Sequence, residues 1–586
     1  MRPNYWKLLG VAGVAGVAAT GVVVARRRRA HEQIEPDEIR DRLHARLAEV
    51  SRADEPWWKT AVVYQVYPRS FADANGDGIG DLAGIESRLD YLAQLGVDVI
   101  WLSPVYPSPQ DDNGYDISDY QDIEPVFGTL AEFDRLLGEI HARGMKLVMD
   151  LVVNHTSSAH PWFVESRASR ENPKRDWYWW RDEPPNDWRS AFSGSAWELD
   201  ETTAQYYLHI FARSQPDLNW ENETVRGAVY SMMRWWLDRG VDGFRMDVIN
   251  FVSKDLSDGF ICGPRIHEFM HEMHESVFAG REEPTLTVGE MPLVTLEDAQ
   301  LFTDPARREI DMVFQFEHVM LDHGATKWDA HGLKLTDLKR SFGRWQEGLE
   351  ARGWNSLYWN NHDQPRIVSR FGDDSPEHRV RSAKMLGTIL HLHRGTPYVY
   401  QGEELGMTNT RFDEIGAFRD IESLNHYAEA TAAGDDPDAV LASLRTMSRD
   451  NARTPMQWDS GPQAGFTTGE PWIPVNPNYR TINAAEAVED EDSVFHHYRR
   501  LIALRHTEPV VAHGDFTMLL PDDERVYAFT RRLGDVELLV LGNFSGERAA
   551  VELPEAGGEL VLGNYADAGE ELVLRPWEAR VLRRAA

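Results

Sequence analysis

Three carboxylates, each closing a short apolar run, carry the chemistry this sequence offers. Asp247 ends Val241-Asp-Gly-Phe-Arg-Met-Asp247, Glu290 ends Thr285-Leu-Thr-Val-Gly-Glu290, and Asp363 follows Trp354–Trp359 in Asn360-Asn-His-Asp-Gln364. Residues two apart in a strand point the same way, so Arg245 shares a face with Asp247 and can hold that carboxylate ionised and aimed. Glu290 has Met291 and Pro292 behind it. Partial desolvation there raises a carboxyl pKa and suits general-acid work. Cleaving a glycosidic bond needs two carboxyl groups in opposite protonation states, one ionised as nucleophile or base and one protonated as acid. A lone Arg-x-Asp is more often a structural ion pair. Three carboxylates after three runs of one pattern are hard to explain that way. Asp363, beside His362, would be a third carboxylate at the same mouth, binding sugar hydroxyls and favouring an oxocarbenium-like transition state.

Positioning these groups takes a scaffold whose strand ends converge. From Trp57 onward, short apolar runs alternate with amphipathic stretches. The runs are 62–67, 97–102, 145–153, 241–247, 285–290, 311–316, 354–359 and 396–400, with helical stretches such as Leu130–Arg143 and His378–His391 between them. Strand–helix alternation predicts a parallel sheet, and eight units predict an α/β fold, a closed (β/α)8 TIM barrel with its chemistry at the C-terminal strand ends. Asp247, Glu290 and His362/Asp363 fall there, as do Asn154 and His155 after the third run. The barrel is expected over 57–510. A Trp-, Pro- and Asp-rich stretch, 154–220, reads as an inserted subdomain after strand 3, over the barrel mouth. A second insertion, Thr410–Asn483, reads as loop. From 511 to 586, short alternating runs (525–531, 536–544, 571–575) predict a separate C-terminal antiparallel β-sandwich domain.

The net charge of −34, from 61 basic and 95 acidic residues, disfavours nucleic acid and anionic lipid as partners of the main body. The one cysteine, Cys262, excludes an intrachain disulfide or a cysteine metal site. Residues 8–25 carry no charge and are followed by Arg26-Arg-Arg-Arg29. This predicts an N-terminal membrane anchor within 1–33 and, by the positive-inside rule, a cytoplasmic catalytic body. A cleavable signal peptide, and so a secreted protein, is the alternative. Asp73-Ala-Asn-Gly-Asp-Gly-Ile-Gly-Asp81 alternates oxygen side chains with glycines, as a loop for a hard cation does. Gly84 stands where an EF-hand needs Glu, which excludes that motif. A metal-free chain of Asx turns is the other reading.

From Trp57 to the C-terminus the chain resembles glycoside hydrolase family 13, the alpha-amylase family. Asp150-Leu-Val-Val-Asn-His155, Gly243-Phe-Arg-Met-Asp247, Val288-Gly-Glu290 and Asn361-His-Asp363 match the four blocks that mark it, in order. Four stretches look like the oligo-1,6-glucosidase and alpha-glucosidase branch: 61–71, 112–120, 215–220 and Asn451-Ala-Arg-Thr-Pro-Met-Gln-Trp458. The resemblance implies that Asp247 is the nucleophile, Glu290 the acid/base and Asp363 the transition-state stabiliser. It further implies that Asp116, His155, Arg245 and His362 grip the terminal glucose. Arg453 closes that pocket opposite Asp116, and Phe211 and Gln215 line it, although Arg453 as a loop brace and Phe211 as subdomain core remain open. Val248, beside the nucleophile, resembles the branch that cleaves alpha-1,6 bonds; an ordinary core valine is the alternative. The implied cofactor is a structural calcium, or sometimes magnesium, held by the side chains of Asp73, Asn75, Asp77 and Asp81 and the carbonyl of Ile79, with no organic cofactor. The implied partners are small oligosaccharides, with no nucleic acid and a membrane contact only through the N-terminal segment. Rival readings are alpha-1,4-glucosidase, trehalose-phosphate hydrolase and sucrose or trehalose isomerase. A non-enzymatic rival, the heavy subunit of amino-acid transporters, is opposed by the presence of all three carboxylates.

Overall fold

A computed structural model describes residues 55–585, except 555, 556, 568, 570 and 571. Eight parallel strands form the barrel: Val63–Val66, Val99–Leu102, Lys146–Val152, Gly243–Asp247, Leu286–Glu290, Met312–Phe314, Ser356–Tyr358 and Thr396–Tyr400. Each falls inside one of the eight apolar runs. Seven neighbouring pairs are joined by parallel ladders, including strand eight to strand one. Strands six and seven share no ladder: an isolated bridge, Val313 to Asn355, joins them, with the Ser356 hydroxyl donating to the Val313 carbonyl at 2.6 Å and the Tyr358 hydroxyl to the Gln315 carbonyl at 2.7 Å.

The strands read as unbroken apolar runs because both faces are buried. Alternate residues divide them. Val63, Val99, Trp101, Val148, Val288, Met312 and Tyr398 fill the barrel interior, while Tyr64, Ile100, Leu102, Leu147 and Met149 pack outward under the helices. The helix Glu223–Asp238 delivers the chain to strand four. It starts on the Asn222 side chain, which accepts from the Thr224 N–H, and it buries Val225, Val229, Met232, Met233, Trp236 and Leu237 at helical spacing. Strand four then opens on Gly243, whose φ is +157°. A Cβ there would sit 2.0 Å from the Leu286 carbonyl oxygen, so this close pairing with strand five requires glycine.

Within the inserted segment, Trp180–Arg181, Trp197–Asp200 and Gln205–Leu208 make a three-stranded antiparallel sheet. A buried lysine ties this subdomain to the barrel. Lys254 Nζ lies 2.9 Å from the Asp217 carboxylate and donates to Asn154 Oδ1 (2.8 Å) and the Phe251 carbonyl (2.6 Å). The C-terminal unit is a five-stranded antiparallel sheet, in the order Asp515–Leu519, Val526–Leu533, Val536–Asn543, Ala579–Ala585, Glu559–Gly563. A small second sheet, Ala549–Ala550 with Val573–Leu574, covers one face over Val526, Ala528, Leu539 and Leu541. The other face meets the barrel helix Arg379–His391, where a Cβ on Gly542 would come within 2.9 Å of Ile389.

The expectation of loop over Thr410–Asn483 is corrected. This stretch holds the helices Ile421–Ala433 and Pro437–Met447, each started by an aspartate N-cap, Asp420 and Asp436. The first buries only Ser423 and Ala430, so it has no apolar stripe to read; the second buries Val440, Leu444 and Met447 at helical spacing, a period that the loop expectation passed over. Among the described residues no helix is long and apolar enough to cross a membrane.

The single-bridge seam sets a testable contribution to stability. Replacing Ser356 by Ala leaves the buried Val313 carbonyl without its donor. Urea unfolding should show a loss of about 1–3 kcal/mol; no measurable loss would mean the seam is held by packing alone.

Candidate active site

Three adjacent strands place one guanidinium among three carboxylates. Arg245 Nη1 lies 2.7 Å from both Asp150 Oδ1 and Asp247 Oδ1, and Nη2 lies 2.6 Å from Glu290 Oε1. Strand register puts Asp150 directly beside Arg245. Asp150 is further held by the Trp101 indole N–H and the Tyr115 hydroxyl, each at 3.0 Å. Burial pushes the Asp247 carboxyl well up from its ordinary range and raises that of Glu290; Arg245 opposes both shifts, while Glu290 and Asp150 add to the first and Asp363 and Asp150 to the second. One cation cannot balance three buried anions, so this cluster retains a proton more readily than free carboxylates would.

Val248 follows the strand with φ +35° and ψ +40°, a strained conformation for a β-branched residue. That turn aims its N–H at Glu290 Oε2, 3.2 Å away. Its side chain packs with Trp179, Ile210, Phe251 and Phe260. The position is therefore both core and second neighbour to the reacting groups.

The third carboxylate lies in a different electrostatic setting. Arg453 Nη2 and Arg449 Nη1 reach Asp363 Oδ1 at 2.6 and 3.1 Å. Burial works to raise the Asp363 carboxyl, but its charged neighbours outweigh it and hold it well below the usual range. Burial pushes His362, which lies 3.2 Å from Asp363 Oδ2, down to about 3. At neutral pH that ring is uncharged, and the two arginines do the holding. Tyr115 stacks on His362 at 5.1 Å and 2°, with Tyr67 at 5.8 Å and 14°. The Gln65 amide nitrogen lies 2.8 Å from its Nδ1, which leaves the ring proton on Nε2.

His155, Gln215 and Phe211 come together on the subdomain side. His155 is buried, its burial pushing it down to about 4, and packs 5.1 Å from the Phe211 ring. Gln215 Nε2 donates to Asp112 Oδ2 at 3.0 Å. Here the expected partnership is corrected. The fully buried Asp116 accepts from the Ser108 hydroxyl (2.8 Å) and from the N–H groups of Asp111 and Asp112 (3.1 Å each). It braces its own loop and does not face Arg453. Asp112, four residues earlier, is the carboxylate that meets an arginine, Arg449 Nη2 at 3.2 Å. Burial pushes Asp112 up to about 6, against the pull of Arg449 and Arg453. Asp112, Asp150 and Arg449 are thus site residues that sequence reasoning missed. One signal was available for Arg449, which stands four residues before Arg453, so one helical turn brings both to the same side.

The Asp73–Asp81 loop is a succession of Asx turns. Asp73 accepts from the N–H groups of Gly76 and Gly78, Asn75 from Asp77, and Asp77 from Ile79. Asp81 accepts from Ala74 and Asn75 and caps the next helix through Gly84. Among the described residues no group of three or more His, Cys, Asp or Glu side chains is placed to hold a metal ion.

A parallel eight-stranded barrel with carboxylates gathered at its C-terminal strand ends defines a class of carbohydrate-active barrel enzymes. The sequence profile of the alpha-amylase catalytic domain matches residues 65–514, and that of the beta-galactosidase C-terminal domain matches 530–584. The chain belongs to the alpha-amylase family and is a glycoside hydrolase. It is 56% identical to the oligo-1,6-glucosidase of Parageobacillus thermoglucosidasius over 557 residues, covering 90% of this chain and 99% of that protein. Its fold superposes on the Bacillus licheniformis trehalose-6-phosphate hydrolase with a TM-score of 0.87 at 47% identity, over 91% of this chain and 100% of that one. The trehalulose synthase of Pseudomonas mesoacidophila MX-45 gives 0.87 at 43% identity, over 90% and 99%.

The membrane-anchored localisation expected from residues 8–25 is corrected. That run lies outside the described residues. Its Gly and Ala content makes it only weakly apolar. Neither the relatives, matched over nearly their whole length, nor any described helix supports an anchored enzyme.

The exchange of Asp116 for Asp112 can be tested directly. Asp112→Asn removes a charge from the pair with Arg449 and should lower kcat/KM on alpha-glucosides by about 30-fold or more. Asp116→Asn should act mainly on thermal stability. Equal losses of kcat/KM from the two variants would restore Asp116 to the pocket.

Proposed function

We propose that this enzyme is a retaining alpha-glucosidase releasing glucose from the non-reducing ends of isomaltose and isomalto-oligosaccharides. The observation that carries the reading is the Arg245 fork, shared by Asp247 and Glu290. One guanidinium keeps two carboxylates together, as the separation of about 5–5.5 Å in a retaining pair requires. Asp247 attacks the anomeric carbon and forms a covalent glucosyl ester as the glycosidic bond breaks. Glu290 gives its proton to the leaving oxygen, then takes one from the water that opens the ester, so two inversions retain the alpha configuration. The nucleophile must be ionised to attack, which assigns the pair's shared proton to Glu290. Asp363, held ionised by Arg449 and Arg453, binds sugar hydroxyls and stabilises positive charge in the transition state. Asp112, Arg449, His155, His362, Gln215 and Phe211 form the pocket for the terminal glucose.

The 1,6 preference is supported by the oligo-1,6-glucosidase names of relatives at 50–56% identity and by Val248. A phosphorylated disaccharide finds little here to bind its phosphate. Among the described residues the cations Arg449, Arg453, Lys327 and Arg189 are each already paired with a carboxylate. Initial rates on isomaltose, maltose, trehalose and sucrose test the proposal, with Asp247→Asn as control. Isomaltose should give the highest kcat/KM, with glucose as product. Asp247→Asn should lose about 10⁴-fold or more with its circular dichroism unchanged. Val248→Ala should shift preference toward maltose. Fastest cleavage of maltose would move the enzyme to alpha-1,4 bonds, and a rearranged disaccharide from sucrose would make it an isomerase.

We also propose that the Asp73–Asp81 loop takes a calcium or magnesium ion. Its hard oxygen donors suit either, and Asp73 Oδ1, Asn75 Oδ1, Asp77 Oδ1 and Asp81 Oδ1 each accept one N–H and keep a second lone pair. Asp73, Asn75, Asp77, Asp81 and the Ile79 carbonyl would hold the ion, which would brace the loop. After chelation, adding calcium should raise Tm by several degrees, as about 100 Kd of a ligand does; an Asp77→Ala variant should not respond. A Tm insensitive to both metals would leave the loop as Asx turns alone.

A further inference from the structure

The helix Ile421–Ala433 is gripped from two sides, and its own period explains how. Residues four apart on a helix lie on one face. Glu422 and His426 form one such pair and turn toward the segment after barrel strand six. Glu422 pairs with Lys327, and the His426 ring stacks on Trp328 at 4.5 Å and 5°. Asn425 and Glu429 form the neighbouring pair and turn toward the inserted subdomain. Asn425 Nδ2 donates to the Phe192 carbonyl at 2.9 Å, and Glu429 meets Arg189 at 3.1 Å. The helix therefore bridges two separate walls of the barrel mouth.

It also reaches the reacting groups. Its N-cap, Asp420, holds Arg449 Nη2 at 2.5 Å, and Arg449 in turn contacts Asp112 and Asp363. The Arg449 guanidinium lies 5.0 Å over the Phe192 ring, and Phe192 packs on Phe211, 5.7 Å away. Phe192 is thus pocket wall through its ring and clasp partner through its carbonyl. Asn425 and Glu429 therefore stand directly behind the wall that Phe192 and Phe211 form beside Arg449.

We infer that Asn425 and Glu429, by clasping the subdomain across the mouth, set how long a substrate the enzyme takes, favouring short isomalto-oligosaccharides over longer ones. This rests on the alpha-glucosidase reading of the same pocket. Asn425 and Glu429 are positioning residues: they hold the subdomain wall and touch no reacting atom. The exposed Arg189–Glu429 pair adds little attraction, so the Asn425 bond is the main fastening.

The test compares kcat/KM for isomaltose, isomaltotriose, isomaltotetraose and a nitrophenyl alpha-glucoside in the wild type, Asn425→Asp and Glu429→Arg. Asn425→Asp sets a carboxylate against the Phe192 carbonyl. The isomaltotetraose to isomaltose ratio should rise about fivefold, the size of one hydrogen bond lost, while nitrophenyl glucoside turnover and Tm hold. Glu429→Arg should move the ratio the same way, and adding Arg189→Glu should return it. Unchanged ratios, or equal losses on every substrate, would overturn the inference. A wild type that cleaves none of the four overturns the alpha-glucosidase reading instead.

Discussion

Burying three carboxylates at the ends of adjacent strands is possible only because a guanidinium lies among them. Arg245 contacts Asp150, Asp247 and Glu290, and its side chain is fully buried. An uncompensated charge in such a place costs several kcal/mol, so the cluster forms as a unit. The rest of the barrel serves it. Trp101 and Tyr115 saturate Asp150 from one side, Gly243 lets strand four approach strand five, and the strained turn at Val248 points an N–H at Glu290. The burial that the guanidinium makes possible also raises both carboxyls of the pair, Asp247 and Glu290.

A second cluster, built on Asp363, has opposite electrostatics. Two arginines surround it, so it stays ionised where the first cluster holds back a proton. The same arginines bind Asp112 and Asp420 and so join the loop after strand two to the insertion after strand eight. One mouth thus contains a proton-retaining pair and a permanently charged acid, using one side-chain chemistry in two environments.

Much of this was legible in the sequence where the chain has a period. The strand repeat of two put Arg245 and Asp247 on one face, and eight apolar runs marked eight strands buried on both sides. Periodicity fails in the loops. Asp112 and Asp116 stand four apart in a stretch with no repeat, and only the turn geometry decides which carboxylate meets an arginine and which caps its own loop. Arg449 and Arg453 share one helical turn, so their order of approach to Asp363 and Asp112 is a matter of tertiary packing. The helix Ile421–Ala433 escaped because it bridges polar walls and buries little apolar surface, which leaves no stripe for pattern to find.

The seam between strands six and seven divides these two clusters. Strands three to five, which carry the Arg245 group, lie on one side of it, and strand seven, which leads into Asp363, lies on the other. With one backbone bridge across it, the two sides are fastened by side chains instead: the Tyr358 hydroxyl donates to the Gln315 carbonyl at 2.7 Å, and Arg370 pairs with Asp322. The two halves of the cup are joined by side chains at the one place where neighbouring strands lack a backbone ladder.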